Sequence, residues 1–310
     1  MSQIGHVVRR VPGRAVQAAL WMVVASLVFA AMSAGIREAT RELHPFEVAF
    51  FRNLFGLAFL LPWLWQAGLG GLRAGRRWLY GWRAFVSLLS MLASFTALAL
   101  LPFAQAVALS FTTPLFSTIG AALMLGETVR ARRWSATIAG FVGVLIMLRP
   151  GVTGWSLGAG LAILAAAISA VAQLIVKKLT RTETPGAIAS YMVLLLVPMS
   201  LVTALPVWSW PSWPVVAWMV VVGGLGSMGH LCYVRAFSMA DASAITPYDY
   251  VRLLFAALIG WVFFAEVPDG WTLVGAVVIA GSAIYIAHRE AMHRHAAAPV
   301  ADPGIPPALR

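Results

Sequence analysis

Charge is scarce in this sequence. Only 11% of its 310 residues are charged and 61% are hydrophobic. A soluble domain carries about 25% charged residues, so this chain cannot cover a water-facing surface, and a soluble globular fold is excluded. Disorder is excluded as well, because disordered chains are poor in apolar residues and rich in charge. Acidic residues are the scarcer sign: 11 Asp and Glu stand against 22 Lys and Arg. The single cysteine, Cys232, leaves no disulfide scaffold and no cysteine-cluster metal site. No His/Asp/Glu cluster has metal-ligand spacing and no Gly-Lys loop could cradle phosphates. No metal, no other cofactor and no ATP-driven pumping by the single chain are therefore expected.

What is present is a series of long uncharged stretches. A helix needs about 20 apolar residues to cross a bilayer core of roughly 30 Å. Ala15 to Ile36 makes one span, and Asn53 to Leu72 with Phe46–Phe51 a second. Ala84 to Gly126 is too long for one helix, and Leu101-Pro102 divides it into spans three and four. Trp134–Leu148 is the fifth and Gly154–Val176 the sixth. Thr184 to Val234 is again of double length, and the Pro206 to Pro214 stretch divides it into spans seven and eight. Ala242–Ala265, interrupted by Asp249 and Arg252, is the ninth, and Trp271–Ala287 the tenth. The expected fold is an all-α integral membrane protein with ten transmembrane helices. Residues 1–14 form an N-terminal segment. Residues 289–310, with Pro299, Pro303, Pro306 and Pro307, read as a disordered tail.

The basic residues orient the spans. With Arg9, Arg10 and Arg14 in the cytoplasm, alternate loops hold Arg73/Arg76/Arg77, Arg130/Arg132/Arg133, Lys177/Lys178/Arg181, Arg235 and the C-terminal tail. The opposite face receives Arg37, Arg41 and Arg149. Both termini are expected in the cytoplasm of a bacterial-type inner membrane. The net charge of +11 is then an orientation signal facing anionic lipid, and no nucleic-acid partner is implied. Tryptophans such as Trp63, Trp78, Trp134, Trp155, Trp213 and Trp271 cluster at span ends, as an interfacial belt does.

The two halves repeat. Ala97–Leu100 precedes Ala236–Met239 by 139 residues, Leu115-Phe116 falls on Leu254-Phe255, and Gly126-Glu127 falls on Ala265-Glu266. Thr40-Arg41 and Pro45 match Thr180-Arg181 and Pro185 at an offset of 140. Residues 15–149 and 150–288 thus form two five-span units. An odd number of spans makes the second unit enter from the opposite face, which is an inverted-topology repeat. The blocks Ala97–Met147 and Ala236–Ile286 resemble the paired EamA repeats of the drug/metabolite transporter superfamily. The first has the family's Pro114 and Gly-Glu; the second has Leu253 and Ala265-Glu266 at those places. The resemblance implies a ten-helix carrier of small metabolites. In length and topology the amino-acid exporters, those for aromatic amino acids included, are the branch most alike. The segment Thr246 to Arg252 also resembles members linked to riboflavin or S-adenosylmethionine uptake.

Ionisable groups inside a span are costly and are candidates for function. Asp249 and Arg252 lie one turn apart in span nine, with Tyr248 beside them and Pro247 weakening the helix ladder just before. The Arg suits a carboxylate and the Asp an amine; alternatively the two cancel as an i,i+3 pair. Ser110 and Thr113, followed by Pro114, stand at the matching place in the first repeat. The two prolines are candidate kink or gating residues. His230 and Tyr233 share a face of span eight, as a relay, a substrate contact or packed groups. Gln173 aligns with Ser33 as paired cavity groups or helix-to-helix hydrogen bonders. Tyr191 aligns with Phe51 as aromatic gates. Ser87, Ser90 and Ser94 read as a packing stripe, Glu127 and Glu266 as helix-terminal structural groups, and Arg52 as a side chain that snorkels to the interface.

The expectation is an alternating-access exporter of amino acids, with a small-molecule substrate and the lipid bilayer as its partners. The alternative is uptake of a larger metabolite such as riboflavin or S-adenosylmethionine. A weaker rival is an intramembrane hydrolase using Ser227 and His230, although no third orienting group is evident. Oligomeric state is open, a monomer included, because the Gly-rich spans five and ten suit packing within or between chains.

Overall fold

The computed structural model describes residues 12–67, 77–125, 131–149, 156–179, 185–239, 248–249 and 251–296. Among them the regular elements are helical, with no strand. Among the described residues, six helices precede the halfway loop: α1 (Pro12–Ala39), α2 (Pro45–Ala67), α3 (Arg77–Leu100), α4 (Phe103–Ser110), α5 (Thr113–Leu125) and α6 (Ala131–Leu148), with α4 and α5 together making one span. The second half holds α7 (Leu157–Leu179), α8 (Pro185–Ala204), α9 (Trp213–Met239), α10 (Val251–Phe264) and α11 (Gly270–Ala296). Parts of α1, α3, α7 and α9 are long and apolar enough to cross a membrane: Val16–Ala39, Trp78–Leu100, Leu157–Val176 and Trp213–Tyr233. Many large apolar side chains are exposed outward, among them Leu123, Phe263 and Leu254. That is the surface a lipid solvent demands and water would not tolerate.

Local chemistry sets the helix ends. At α2, Pro45 occupies the first position, where its missing N–H is no loss. Two residues on, buried Glu47 accepts the His44 backbone N–H at 3.0 Å, half of a capping box. The same carboxylate accepts the Ser209 backbone N–H at 2.7 Å, which ties the α8–α9 connection to α2. Leu101-Pro102 ends α3 as expected, since a residue before proline avoids the helical region. A second break, not anticipated, falls at Phe111-Thr112 and splits span four into α4 and α5. Pro114 is the second residue of α5, where proline starts a helix without kinking it.

Two expectations need correction. Residues 289–296 are not disordered: α11 runs on through His288, Arg289 and Arg294 to Ala296. The prolines that stop a helix begin only at Pro299, outside the described residues. Span nine is not one continuous helix, because Tyr248 and Asp249 sit in a short 3-10 turn and α10 starts at Val251. Pro247 and Glu127 lie outside the described residues.

Packing follows a crossed pattern. α1 lies on α9, and α3 lies on α7. α1 also touches α10, while α7 touches α5. α2 packs on α8, and α6 on α11. Apart from α4, each helix of the first half has a counterpart in the second (α1 with α7, α2 with α8, α3 with α9, α5 with α10, α6 with α11), and exchanging counterparts reproduces the contacts. The core is rich in alanine, including Ala18, Ala25, Ala49, Ala97, Ala106, Ala166 and Ala236. Small side chains let backbones approach where lipid supplies no hydrophobic drive. The Gly-rich helices meet within the chain: a Cβ on Gly275 would stand 2.7 Å from the Gly143 carbonyl oxygen.

One carboxylate closes an end of the bundle. Ala265 adopts φ +52°, the left-handed residue that ends α10, and the Glu266 N–H donates back to the Gly260 carbonyl at 2.9 Å. Glu266 then pairs with Arg37 of α1 and accepts the Phe103 N–H at 2.6 Å, capping α4. Arg37 also donates to the Leu101 carbonyl at 2.6 Å and lies over the Phe264 ring. Glu266→Gln is expected to remove about 1–3 kcal/mol and to lower the thermal midpoint of the detergent-solubilised protein by several degrees. Glu38→Gln, in an exposed pair with Arg41, should leave the midpoint unchanged.

Candidate functional site

The polar side chains at the centre converge from α1, α2, α9 and α10. Ser26 is fully buried on α1 and donates to Asp249 at 3.0 Å. Asp249 faces Arg252 at 3.6 Å, with both side chains about a quarter exposed. The Arg252 guanidinium lies 4.6 Å from the centre of the Phe111 ring, at the α4–α5 break. The start of α10 therefore meets the break of the other half. Arg252 Nε is buried with no hydrogen-bond partner among the described residues. Phe29, one turn beyond Ser26, packs edge-on against His230 at 5.4 Å and Tyr233 at 6.4 Å. Phe29 joins Tyr233 and His230 of α9 to the helix that carries Ser26. Arg252, Asp249, His230 and Tyr233 thus share one polar lane. Tyr248, beside Asp249, is 44% exposed.

The counterpart of this lane in the other half is nearly empty. At the repeat offsets, Asp249 and Arg252 correspond to Ser110 and Thr113, Tyr233 to Ser94, Ser26 to Ala166 and Phe29 to Ser169. These five small residues line a cavity of about 70 Å³ together with Ser90, Ala97, Ala106, Ala162 and Ala165. Ser110 donates to the Val107 carbonyl at 2.6 Å and Thr113 to the Ser110 carbonyl at 2.8 Å, so both hydroxyls satisfy the α4–α5 break. Ser90 donates across to the Ala165 carbonyl at 2.9 Å, which fits the packing role read for the serine stripe. Backbone symmetry is thus combined with asymmetric chemistry: the charges sit on one side only.

Other sequence candidates fall elsewhere. Ser33 donates to the Phe29 carbonyl of its own helix at 2.9 Å, whereas Gln173 is exposed and accepts from Ser117 at 3.2 Å. The two do not meet, because equivalent positions of a repeat face different neighbours. Tyr191 packs on Tyr80 with ring centres 4.6 Å apart, in a cluster of α3, α7 and α8. Phe51 sits in a separate cluster with Phe50, Phe55 and Trp208. Ser227, the would-be nucleophile, donates to the Gly56 carbonyl at 3.0 Å in the α2–α9 contact. His230 packs on Phe29 rather than on that hydroxyl, so no Ser–His pair forms.

Arg52 does not snorkel. Its guanidinium lies against Gly226, midway along α9, where a Cβ would stand 3.2 Å from Nη2. A larger cavity of about 420 Å³ opens at the Glu266 end of the bundle, lined by Gln105, Arg149, Ser156, Glu266, Asp269 and Thr272 among others. Arg149 pairs with Asp269 there. Asp269 caps α11 by accepting the Thr272 N–H at 2.9 Å. Hydrogen bonds from Thr272, and then the charge of Arg149, hold its carboxyl below the usual value. The folded group thus binds its proton more weakly than the unfolded one, so this lock weakens only in acid, below the ordinary aspartate range. Gln105 and Ser26 carried no sequence signal, since neither lies in a periodic or charged pattern.

The sequence pattern of the EamA-like transporter family matches residues 16–149 and again residues 156–287. The chain belongs to this family. It is a multi-pass membrane transporter. A riboflavin transporter of Rhizobium johnstonii is 34% identical over 90% of this chain and 93% of that protein. An S-adenosylmethionine uptake transporter of Rickettsia felis is 33% identical over 80% of this chain and 85% of that one. A solved crystal structure with 20% identity aligns at a TM-score of 0.62 over 91% of this chain and 99% of its own, a likeness of fold alone. The Asp249–Arg252 lane lies where the second matched segment touches the first.

Proposed function

We propose that this chain is an alternating-access carrier for uptake of a metabolite built on a fused nitrogen heterocycle, of the riboflavin or S-adenosylmethionine kind. The two EamA segments insert in opposite orientations and make ten crossings, with both termini in the cytoplasm of a bacterial-type inner membrane. The crossed packing of α1 on α9 and α3 on α7 supports this arrangement. So does the bias of basic residues to one set of loops.

One observation carries the reading: the Asp249–Arg252 pair stands at the start of α10, against the break between α4 and α5. Interrupted helices at a repeat interface place helix ends and unspent polar groups in the path of a solute. Asp249 accepts from a hydroxyl or amine, Arg252 donates to ring or carbonyl acceptors, and Phe111, Phe29 and Tyr233 offer faces to a heterocycle. Amino-acid export, the first expectation from sequence, has less support, because the riboflavin and S-adenosylmethionine transporters are 34% and 33% identical, whereas a pseudopaline exporter of Pseudomonas aeruginosa is 29% identical.

Counterflow in proteoliposomes decides between them. Vesicles loaded with unlabelled riboflavin, S-adenosylmethionine or phenylalanine are expected to accumulate label only with the first or second, and without ATP. Exchange of phenylalanine alone would return the reading to amino-acid transport, and a requirement for ATP would end it.

A further inference from the structure

Arg52 differs from three other arginines of the bundle. Arg37, Arg149 and Arg252 each have a carboxylate partner. Among the described residues Arg52 has none. Its side chain is held in place: Nη1 donates to Asn53 Oδ1 at 2.9 Å, and the Asn53 amide donates to Ser200 of α8 at 3.3 Å. Nη2 and Nε face Gly226, whose missing Cβ would lie 3.2 and 3.4 Å from them and 3.2 Å from Met32 Sδ. A guanidinium has five donors, and among the described residues one hydrogen bond from it is made, to Asn53. His230 follows Gly226 by one turn of α9.

The contact between α2 and α9 does not need this charge, because Ser227 bonds to Gly56 and Gly223 packs on Phe55 without it. An unpaired cation within a span is a large burden, and an anion from outside would relieve it. Asp249 already neutralises Arg252, so the net positive charge of the lane resides at Arg52. By helical rise, Gly226 lies about 10 Å from Tyr233 along α9, the length of a nucleoside-sized metabolite.

We propose that Arg52, with Gly226 and His230 beside it, is a second subsite that binds a carboxylate or phosphate on the transported metabolite while the Asp249–Arg252 lane holds its other end. The proposal rests on the carrier reading above and adds that the solute carries an anionic group.

Tryptophan-fluorescence titration in nanodiscs tests it with two ligand pairs: S-adenosylmethionine against its decarboxylated form, and riboflavin 5′-phosphate against riboflavin. The member that carries the anionic group, the carboxylate of S-adenosylmethionine or the phosphate of riboflavin 5′-phosphate, is expected in at least one pair to bind at least ~10-fold tighter, a difference of about 1.4 kcal/mol. The pair that shows this names the carboxylate or the phosphate as the group bound. Arg52→Gln should erase that difference and leave the weaker member unchanged, and Arg52→Lys should keep part of it. Gly226→Ala retains the charge but crowds it, and should weaken the anionic member alone. Equal affinities within both pairs in the native protein would overturn the subsite while leaving the carrier reading intact. So would an equal loss for both members in Arg52→Gln. Anion preference without counterflow would overturn the carrier reading and leave the subsite. Failure of all four ligands to bind would remove both.

Discussion

Asp249→Asn is expected to destabilise the protein by about 3 kcal/mol, toward the low end for breaking a buried ion pair, and to reduce flux at least tenfold. The carboxylate accepts from Ser26 at 3.0 Å and faces Arg252 at 3.6 Å. Neutralising it strands a guanidinium against the Phe111 ring, inside the bundle. The low end applies because both side chains keep about a quarter of their surface. The double variant Asp249→Asn with Arg252→Gln removes the stranded charge, so most of the lost stability should return, whereas flux should not. Thermal melting and counterflow on the three proteins separate the two roles. If the double variant regained transport along with stability, the pair would be a packing device and the binding lane would lie elsewhere.

The second large effect is steric. Gly275→Leu is expected to abolish accumulation of folded protein, and Gly275→Ala to lower its thermal midpoint clearly. A Cβ at this position meets the Gly143 carbonyl oxygen at 2.7 Å, Met147 Cβ at 2.7 Å and the Met147 nitrogen at 3.0 Å. Two of these are backbone atoms, which cannot move aside unless α6 and α11 separate. In lipid, the helices are held by van der Waals contact and not by expulsion of water, so separation forfeits most of their attraction. Gly281, on the same helix, has nothing within 4 Å of its would-be Cβ. Gly281→Ala should therefore be neutral or slightly stabilising, by up to about 1 kcal/mol from helix propensity. Size-exclusion profiles and melting curves of the three variants provide the measurement. Equal damage from Ala at 275 and at 281 would contradict the contact.

Much of the architecture was legible because a bilayer imposes a length. Uncharged runs near 20 residues, separated by arginine clusters, gave the helices, and Leu101-Pro102 gave the α3–α4 break through proline's own restriction. The pairing of Asp249 with Arg252 was legible because it is local. Contacts across large sequence distances were not. Ser26 is 223 residues from Asp249, and the Phe103 N–H that Glu266 caps is 163 residues away. The Phe111-Thr112 break carries neither glycine nor charge. Arg52 looked superficial because it lies seven residues from Pro45, but α2 delivers it to the midpoint of α9. Depth is a property of packing, and counting along one helix does not reveal it.

The last helix has a practical use. α11 runs 27 residues from Gly270 to Ala296, about 40 Å at 1.5 Å per residue, against a hydrocarbon slab of roughly 30 Å. The excess length falls in its final turns, which carry His288, Arg289 and Arg294 in the sequence and are expected to extend past the lipid. A small water-soluble fiducial grafted in unbroken register at Ala296 would be held at a fixed bearing. Each added residue would swing it by about 100°. That gives cryo-electron microscopy an alignable handle on a particle otherwise hidden in its micelle.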